Sequence, residues 1–294
     1  MGRLVSRPMR AIPQKGGQKG GHAMVKAFSL VSWNVEHFRN VNSRVENVVA
    51  FLTAQDPDVF ALYEVEGSEA FETLSHEMPG FTCHITEGPQ AQEILVGVKA
   101  NMTAFFTQKV EFKGGDSLLR PGALLTVTID GAHYPILFLH TKSGNDPKGL
   151  GLRDDMLVRA CDFRKVLNKA DPHGTANYIF LGDLNTMGME YTYVRERDIS
   201  VAAELTKLER KAGASKMRLL TKTHPYTWSN GSGSAVPDSN LDHVVAAKHL
   251  QFRAFNGAQV AVRGWAQAAT PAAKDEWISK YSDYCLLYLE VQRV

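Results

Sequence analysis

Six short segments of this chain share one arrangement, an apolar run bordered by polar side chains. They are Ser32-Trp33-Asn34, Leu62-Tyr63-Glu64, Phe138-Leu139-His140, Leu181-Gly182-Asp183-Leu184-Asn185, Asn240-Leu241-Asp242-His243, and Ser282-Asp283-Tyr284 ahead of the apolar residues 285–289. Strand ends are rigid, so polar groups placed there converge at little entropic cost. Glu64, Asp183, Asp242 and Asp283 would then form a carboxylate cluster, which is costly to bury without a cation. Oxygen ligands without a CxxC or paired-histidine motif suit Mg²⁺ or Mn²⁺ better than Zn²⁺. Carboxylate-held magnesium with retained waters is the usual arrangement for phosphate chemistry.

The elements that must position these groups can be read from periodicity. Residues 27–35 read as a strand. Asn42 or Ser43 can cap a helix with Val45, Val48, Val49 and Leu52 on one face, stopped by Pro57. Residues 58–65 read as a buried strand, and Ser68 can cap a helix through Phe71, Leu74 and Met78. Strand-like runs follow at 81–86, 93–99, 104–112, 122–130 and 134–140. Residues 152–169 read as a helix, 178–181 as a strand, 200–213 as a helix, and 241–246 and 286–291 as strands. The loops at 141–151, 186–198 and 221–240 are long and polar, a frequent sign of function. Hairpin-like strands dominate the middle, so the pattern predicts α/β layers around largely antiparallel sheets. No repeat or linker interrupts residues 26–294, which read as one domain.

Composition narrows the function further. The 44% hydrophobic content supports a sizeable core, and no apolar run approaches a membrane span. Cys83, Cys161 and Cys285 have no paired spacing, which fits buried thiols in a reducing, cytoplasmic setting; a monomer is expected. The net charge of +2 is asymmetric: residues 1–26 carry six basic and no acidic side chains, leaving 27 basic against 31 acidic in the rest. Residues 1–25 therefore read as a disordered basic tail, an arm for nucleic acid, a targeting segment or an extension ahead of Met24. A mildly acidic body is unlike a broad nucleic-acid surface, although Lys142, Lys148 and the 186–198 loop can supply local positive charge.

The ordered set Ser32-Trp33-Asn34, Pro57-Asp58 with Glu64, His140, Gly182-Asp183-Leu184-Asn185, Leu241-Asp242-His243 and Ser282-Asp283 resembles the endonuclease/exonuclease/phosphatase superfamily over roughly 27–292. The resemblance implies a four-layered α/β sandwich of two packed sheets with helices outside. It implies Mg²⁺ or Mn²⁺ at Glu64, with Asn34 and Asp283 beside the metal. It further implies a water-activating Asp183 positioned by Asn185, His140 near the leaving oxygen, and Asp242 orienting a catalytic histidine. Asn34, Asn185 and Arg120 would contact phosphate. The reaction implied is in-line attack of water on a phosphodiester, with a nuclease as first choice. A phosphomonoesterase, a sphingolipid phosphodiesterase and a non-catalytic binder of phosphate or nucleic acid are the alternatives.

Tyr284 departs from this pattern, since the resemblance implies histidine there. Tyrosine stays neutral near pH 7 and can donate to a phosphate oxygen, but it shuttles protons poorly. Three outcomes are therefore expected, in this order: an active hydrolase whose chemistry rests on metal, Asp183 and His140, a weakened enzyme, and a phosphate- or nucleic-acid-binding relative without turnover. His243 reads as a packing residue. His37, Tyr193, Arg195, Arg197, Tyr226 and Trp228 read equally as substrate contacts or as surface and packing residues.

Overall fold

The computed structural model describes residues 25–39, 42–88 and 92–293. The basic tail expected over 1–25 lies outside the described residues, Val25 apart. Twelve strands and five α-helices follow in the order β1 (Lys26–Phe38), α1 (Asn42–Ala54), β2 (Val59–Val65), α2 (Ser68–Glu77), β3 (Phe81–Ile85), β4 (Glu93–Lys99), β5 (Thr103–Lys109), β6 (Gly122–Ile129), β7 (Ala132–His140), α3 (Pro147–Ala170), β8 (Ile179–Asp183), α4 (Val201–Ala214), β9 (Met217–Leu219), β10 (Asp242–Ala247), β11 (Ala261–Arg263), α5 (Pro271–Lys280) and β12 (Leu286–Gln292).

The strands form two six-stranded sheets, β11-β12-β1-β2-β4-β3 and β5-β6-β7-β8-β10-β9. The β1/β2 and β7/β8 pairs are parallel and the others are antiparallel. Alternation along each strand decides the layers. Phe28 and Leu30 of β1 and Ala61 and Tyr63 of β2 pack on Ile136, Phe138, Leu181 and Val244 of the second sheet. The opposite faces bury helices. Val45, Val48 and Leu52 of α1 and Leu74 of α2 cover Val31, Trp33 and Phe60. Met156 and Ala160 of α3 and Leu208 of α4 cover Leu137, Phe180 and Val245. The result is the four-layered sandwich that the resemblance implies.

The differences from the sequence reading have local causes. Helix α3 begins at Pro147, five residues before the predicted 152, so the expected 141–151 loop is shorter. Asp146 caps it by accepting from the Gly149 N–H at 3.0 Å, and Pro147 presets the first turn. Gly149 weakens the sequence signal for a helix. It is needed because a Cβ there would sit 2.6 Å from the Gly144 carbonyl. Ser68 is the first residue of α2 rather than its cap, and Gly67 precedes it. Strand β5 ends at Lys109, and a 3₁₀ turn at Val110–Lys113 then buries Phe112. Helix α5 went unread because none of its residues is fully buried, although Thr270 and Pro271 form a readable start.

One contact sets β2 beside β1. The Asp58 carboxylate accepts from the Ser29 N–H at 2.8 Å, the Ser29 hydroxyl at 2.9 Å, Lys26 Nζ at 2.8 Å and Lys99 Nζ at 2.9 Å. Burial works to raise its pKa, but these four donors outweigh it and hold the group at about 2. A depressed folded pKa stabilises the fold above the unfolded value, and the contribution is lost as pH falls through the folded one. Asp58→Asn is expected to lower unfolding free energy by about 1–2 kcal/mol at neutral pH. Urea denaturation should show the gap to wild type closing between about pH 4 and pH 2; a gap independent of pH would contradict this role.

Candidate active site

Register places three of the expected side chains in one row. His140 stands opposite Asp183 across β7 and β8, and Asp242 stands opposite Asp183 across β10 and β8. All three continue the inward-facing positions of their strands. On the first sheet Asn34 pairs with Tyr63, immediately before Glu64. Strict alternation would turn Glu64 toward the helices with Leu62. The β2/β4 register shifts between Leu62 and Val65, and Glu64 takes φ 63°, so the bulge turns its carboxylate inward. Strand β1 is irregular at the same level, with Glu36 and His37 at φ 44° and 45°.

The two sheets meet at Asn34. Its Nδ2 donates to Glu64 Oε1 and to Asp183 Oδ2, each at 3.0 Å, while its Oδ1 accepts from the Glu36 N–H at 2.9 Å. His140 Nε2 lies 3.5 Å from Asp183 Oδ2 and 3.8 Å from Glu64 Oε1. One ligand-capable atom from each of Glu64, His140 and Asp183 therefore falls within 4.8 Å of the others. Behind them Tyr63 donates to Leu181 O at 3.4 Å and meets the Ser32 hydroxyl at 3.1 Å. Gly182, at φ 141°, leaves room for this: a Cβ there would lie 2.0 Å from Leu139 O and 2.7 Å from the Tyr63 hydroxyl.

Burial without enough positive charge shifts the acids upward. Asp183 is fully buried, and desolvation raises it to about 6; Asn34 opposes the shift and the Glu64 charge adds to it. Burial, then the Glu36 carboxylate, raise Asp283 to about 7, against a 2.6 Å hydrogen bond from Trp228 Nε1. Asp242 is pushed well above the carboxylate range by burial and by Asp183. His140 is held neutral by burial and by the Arg120 charge, and its Nδ1 has no partner among the described residues. Two carboxylates and a neutral imidazole in this spacing are a donor set that suits a divalent cation.

The other expected residues fall around this group. The Asn185 N–H donates to Asp183 Oδ1 at 3.1 Å, and its side chain donates to Thr141 O at 3.2 Å. Arg120 is largely buried within the field of Glu64 and Asp183 and donates to Gln92 O at 3.0 Å. Asp283 stands outside the three-residue group but inside the field of Glu64 and Asp183. Tyr284 is buried, with its side chain close enough to Asp183 to favour that carboxylate's charged form. Burial and four surrounding carboxylates hold its pKa well above 10. Neither carboxylate oxygen of Asp242 has a hydrogen-bond partner of good geometry among the described residues. Lys222, pulled to about 8 by burial, donates instead to the Asp242 backbone carbonyl at 2.6 Å.

His243 is a packing residue, 2.8 Å from the Thr186 hydroxyl. His37 lies on the rim, 2.6 Å from Glu66 and 4.0 Å from Glu64. Tyr193 is 95% exposed, and Arg195 and Arg197 are exposed beside it. Tyr226 is exposed, whereas Trp228 serves Asp283. Sequence reasoning missed Gln92, whose Nε2 lies 2.9 Å from His37 Nδ1 and 3.4 Å from Glu64 Oε2. It also missed Lys222 and the Tyr63–Ser32 support. No local motif marks Gln92 or Lys222, and the strand-end segments that contain Ser32 and Tyr63 do not mark their contact across β1 and β2.

Residues 31–257 match the family described as Endonuclease/Exonuclease/phosphatase family. No curated protein matches the sequence. Solved structures share the fold. D. rerio TDP2 complexed with single-strand DNA product has a TM-score of 0.61 at 16% identity, covering 90% of this chain and 99% of that one. The 3′ phosphatase NExo from Neisseria, bound to product DNA hairpin, has 0.59 at 14% identity, covering 90% and 99%. An AP endonuclease from Archaeoglobus fulgidus has 0.57 at 12%, covering 89% and 98%.

The raised carboxylates give the metal-free protein a pH signature. Asp183 and Asp283 bind protons more tightly folded than unfolded, so their contribution is complete below the unfolded carboxylate pKa. It is lost as pH rises through about 6 and about 7. In chelator, the unfolding temperature is expected to fall between about pH 4 and pH 7, and millimolar Mn²⁺ should raise it more at the higher pH. A metal shift equal at both ends, or absent, would contradict the site.

Proposed function

The chain belongs to the endonuclease/exonuclease/phosphatase family, and on that premise we propose that it is a divalent-metal-dependent phosphodiester hydrolase acting on a nucleic-acid strand. The observation that carries this reading is the convergence of Glu64 and Asp183, from different sheets, on one amide nitrogen beside His140. The DNA products bound to the D. rerio and Neisseria fold neighbours support the substrate class. The reading takes residues 26–294 as one domain and a monomer. It takes the setting as cytoplasmic, with the three unpaired cysteines in support. No described helix is long and apolar enough to cross a membrane.

Glu64, with Asp183 and the neighbouring Asp283, would hold Mg²⁺ or Mn²⁺, with His140 beside them. A cation there supplies charge neutralisation and polarises a phosphate oxygen. Asp183, beside the cation, would orient the attacking water and accept its proton as oxygen bonds to phosphorus. The Asn185 N–H and Asn34 amide hold that carboxylate in place. Arg120 faces the phosphate as a cation, adding to the stabilisation of charge in the transition state. His140 donates one ring N–H toward the departing ester oxygen. The Tyr284 phenol is a hydrogen-bond donor of low acidity, so the departing oxygen takes its proton from solvent.

Tyrosine at 284 leaves Asp242 without an imidazole to orient, which slows the reaction and favours a weakened enzyme. A non-catalytic binder is the second reading, favoured by the same Asp242, whose carboxylate has no hydrogen bond of good geometry among the described residues. Hydrolysis of bis(nitrophenyl) phosphate with Mn²⁺ is expected, and Glu64→Ala should abolish it. Tyr284→His should raise kcat by about tenfold or more. Asp242→Asn should change little in the wild type but remove most of that gain in the Tyr284→His protein, a coupling that a double-mutant cycle reads directly. No turnover by the wild type or by the Tyr284→His variant, with Mn²⁺ still bound to both, would establish the binder. Assays on phosphomonoesters and sphingomyelin separate the remaining family activities.

A further inference from the structure

A polar cleft of about 380 Å³ adjoins the carboxylate group. Gln92 and Arg120 form the wall it shares with the active site, and Lys142, Ser143, Lys148 and Asp116 form the far side. Leu118 and Leu119 complete it, Leu118 being 55% exposed. Three cations thus face one acid. Asp116 is paired with Lys148 at 3.0 Å, and the Leu118 N–H and that partner hold its pKa low. Lys142 makes no ion pair or side-chain hydrogen bond among the described residues. Arg120 uses Nε and Nη2 on Gln92, and its Nη1 has no protein acceptor there.

The lysine loop is built rather than loose. Arg153 of α3 is fully buried, with its Nε 2.6 Å from Glu204. Its Nη1 donates to the carbonyls of Lys142 at 3.1 Å and Gly144 at 2.9 Å. Its Nη2 donates to Gly188 O at 3.0 Å. Thr141 is tied in turn to Asp183 O through its N–H at 3.0 Å. The backbone that carries Lys142 is thereby locked to the strand that carries Asp183. Net positive charge, free donors and fixed backbone within one cleft are the features of an anion site.

We propose that this cleft is a subsite for a second phosphate of the substrate, next to the phosphodiester being cleaved, with Lys142 and Lys148 as its charged contacts. The inference rests on the hydrolase reading and names the kind of substrate it takes: one carrying at least two phosphates in series. The exposed Leu118 favours the next phosphate of a nucleic-acid strand, because a sugar or base can pack on it and a bare pyrophosphate cannot.

The test compares kcat/KM on thymidine substrates with one phosphate (TpT), two strand phosphates (TpTpT) and a pyrophosphate-linked dinucleoside. Wild type should prefer TpTpT over TpT by about tenfold, and the Lys142→Glu, Lys148→Glu double variant should bring that ratio near one. A preference confined to the pyrophosphate-linked compound, lost in the variant, would keep the subsite and assign it to polyphosphates. A wild-type ratio near one for both, or an equal loss on all three substrates, would overturn it. Binding of a non-hydrolysable phosphorothioate trinucleotide, read by calorimetry, separates the two claims. Weaker binding in the variant together with no turnover of any substrate would overturn the hydrolase reading alone. Unchanged binding with turnover intact would overturn the subsite alone.

Discussion

One amide nitrogen joins the two halves of this protein's site. Asn34 Nδ2 reaches the carboxylates of Glu64 on the first sheet and Asp183 on the second. Those acids are brought together by irregularity on one side and regularity on the other. A bulge turns Glu64 out of the alternation of β2, whereas Asp183, His140 and Asp242 simply continue the inward face of β7, β8 and β10. A shift of one residue in any of these strands would send its side chain to the helix-covered face. The apolar cores above and below the sheets therefore hold the chemistry in register, and the site is the polar end of the same packing.

That convergence is unfavourable by itself. Carboxylates held near one another without water favour the protonated form, and Asp183, Asp242 and Asp283 all move that way. A divalent cation, which Glu64, His140 and Asp183 are spaced to hold, would resolve the conflict by exchanging protons for metal charge. Tyr284 fits the same electrostatics: a neutral phenol among four acids adds a donor and no charge. Its consequence lies beside it. Asp242 is buried with no good hydrogen bond to its carboxylate, and Lys222 is the cation left to face it.

The layer order and most of the site were legible because both rest on local signals. Apolar runs marked β1, β7 and β8 as strands, and helical spacing fixed α1 from Val45, Val48 and Leu52. Motifs at strand ends pointed to Asn34, Glu64, His140 and Asp183 before any contact was known. What stayed hidden depends on long-range contact. Gln92 reaches Glu64, and Trp228 reaches Asp283 across 55 positions of sequence. Arg153 is an ordinary helix arginine until the fold closes the 142–144 loop over it. The early start of α3 was masked by Gly149, whose helix-weakening effect is overridden by the Asp146 cap and a close backbone approach.

The central claim is that Glu64 and Asp183 share a cation. Crystals soaked in Mn²⁺ and measured at a wavelength where manganese scatters anomalously test it most directly. The account predicts an anomalous peak about 2.1 Å from a Glu64 carboxylate oxygen, within reach of Asp183 and next to Asn34. The peak should vanish in Glu64→Ala crystals. A peak elsewhere on the protein, or none at this site under saturating Mn²⁺, would contradict it.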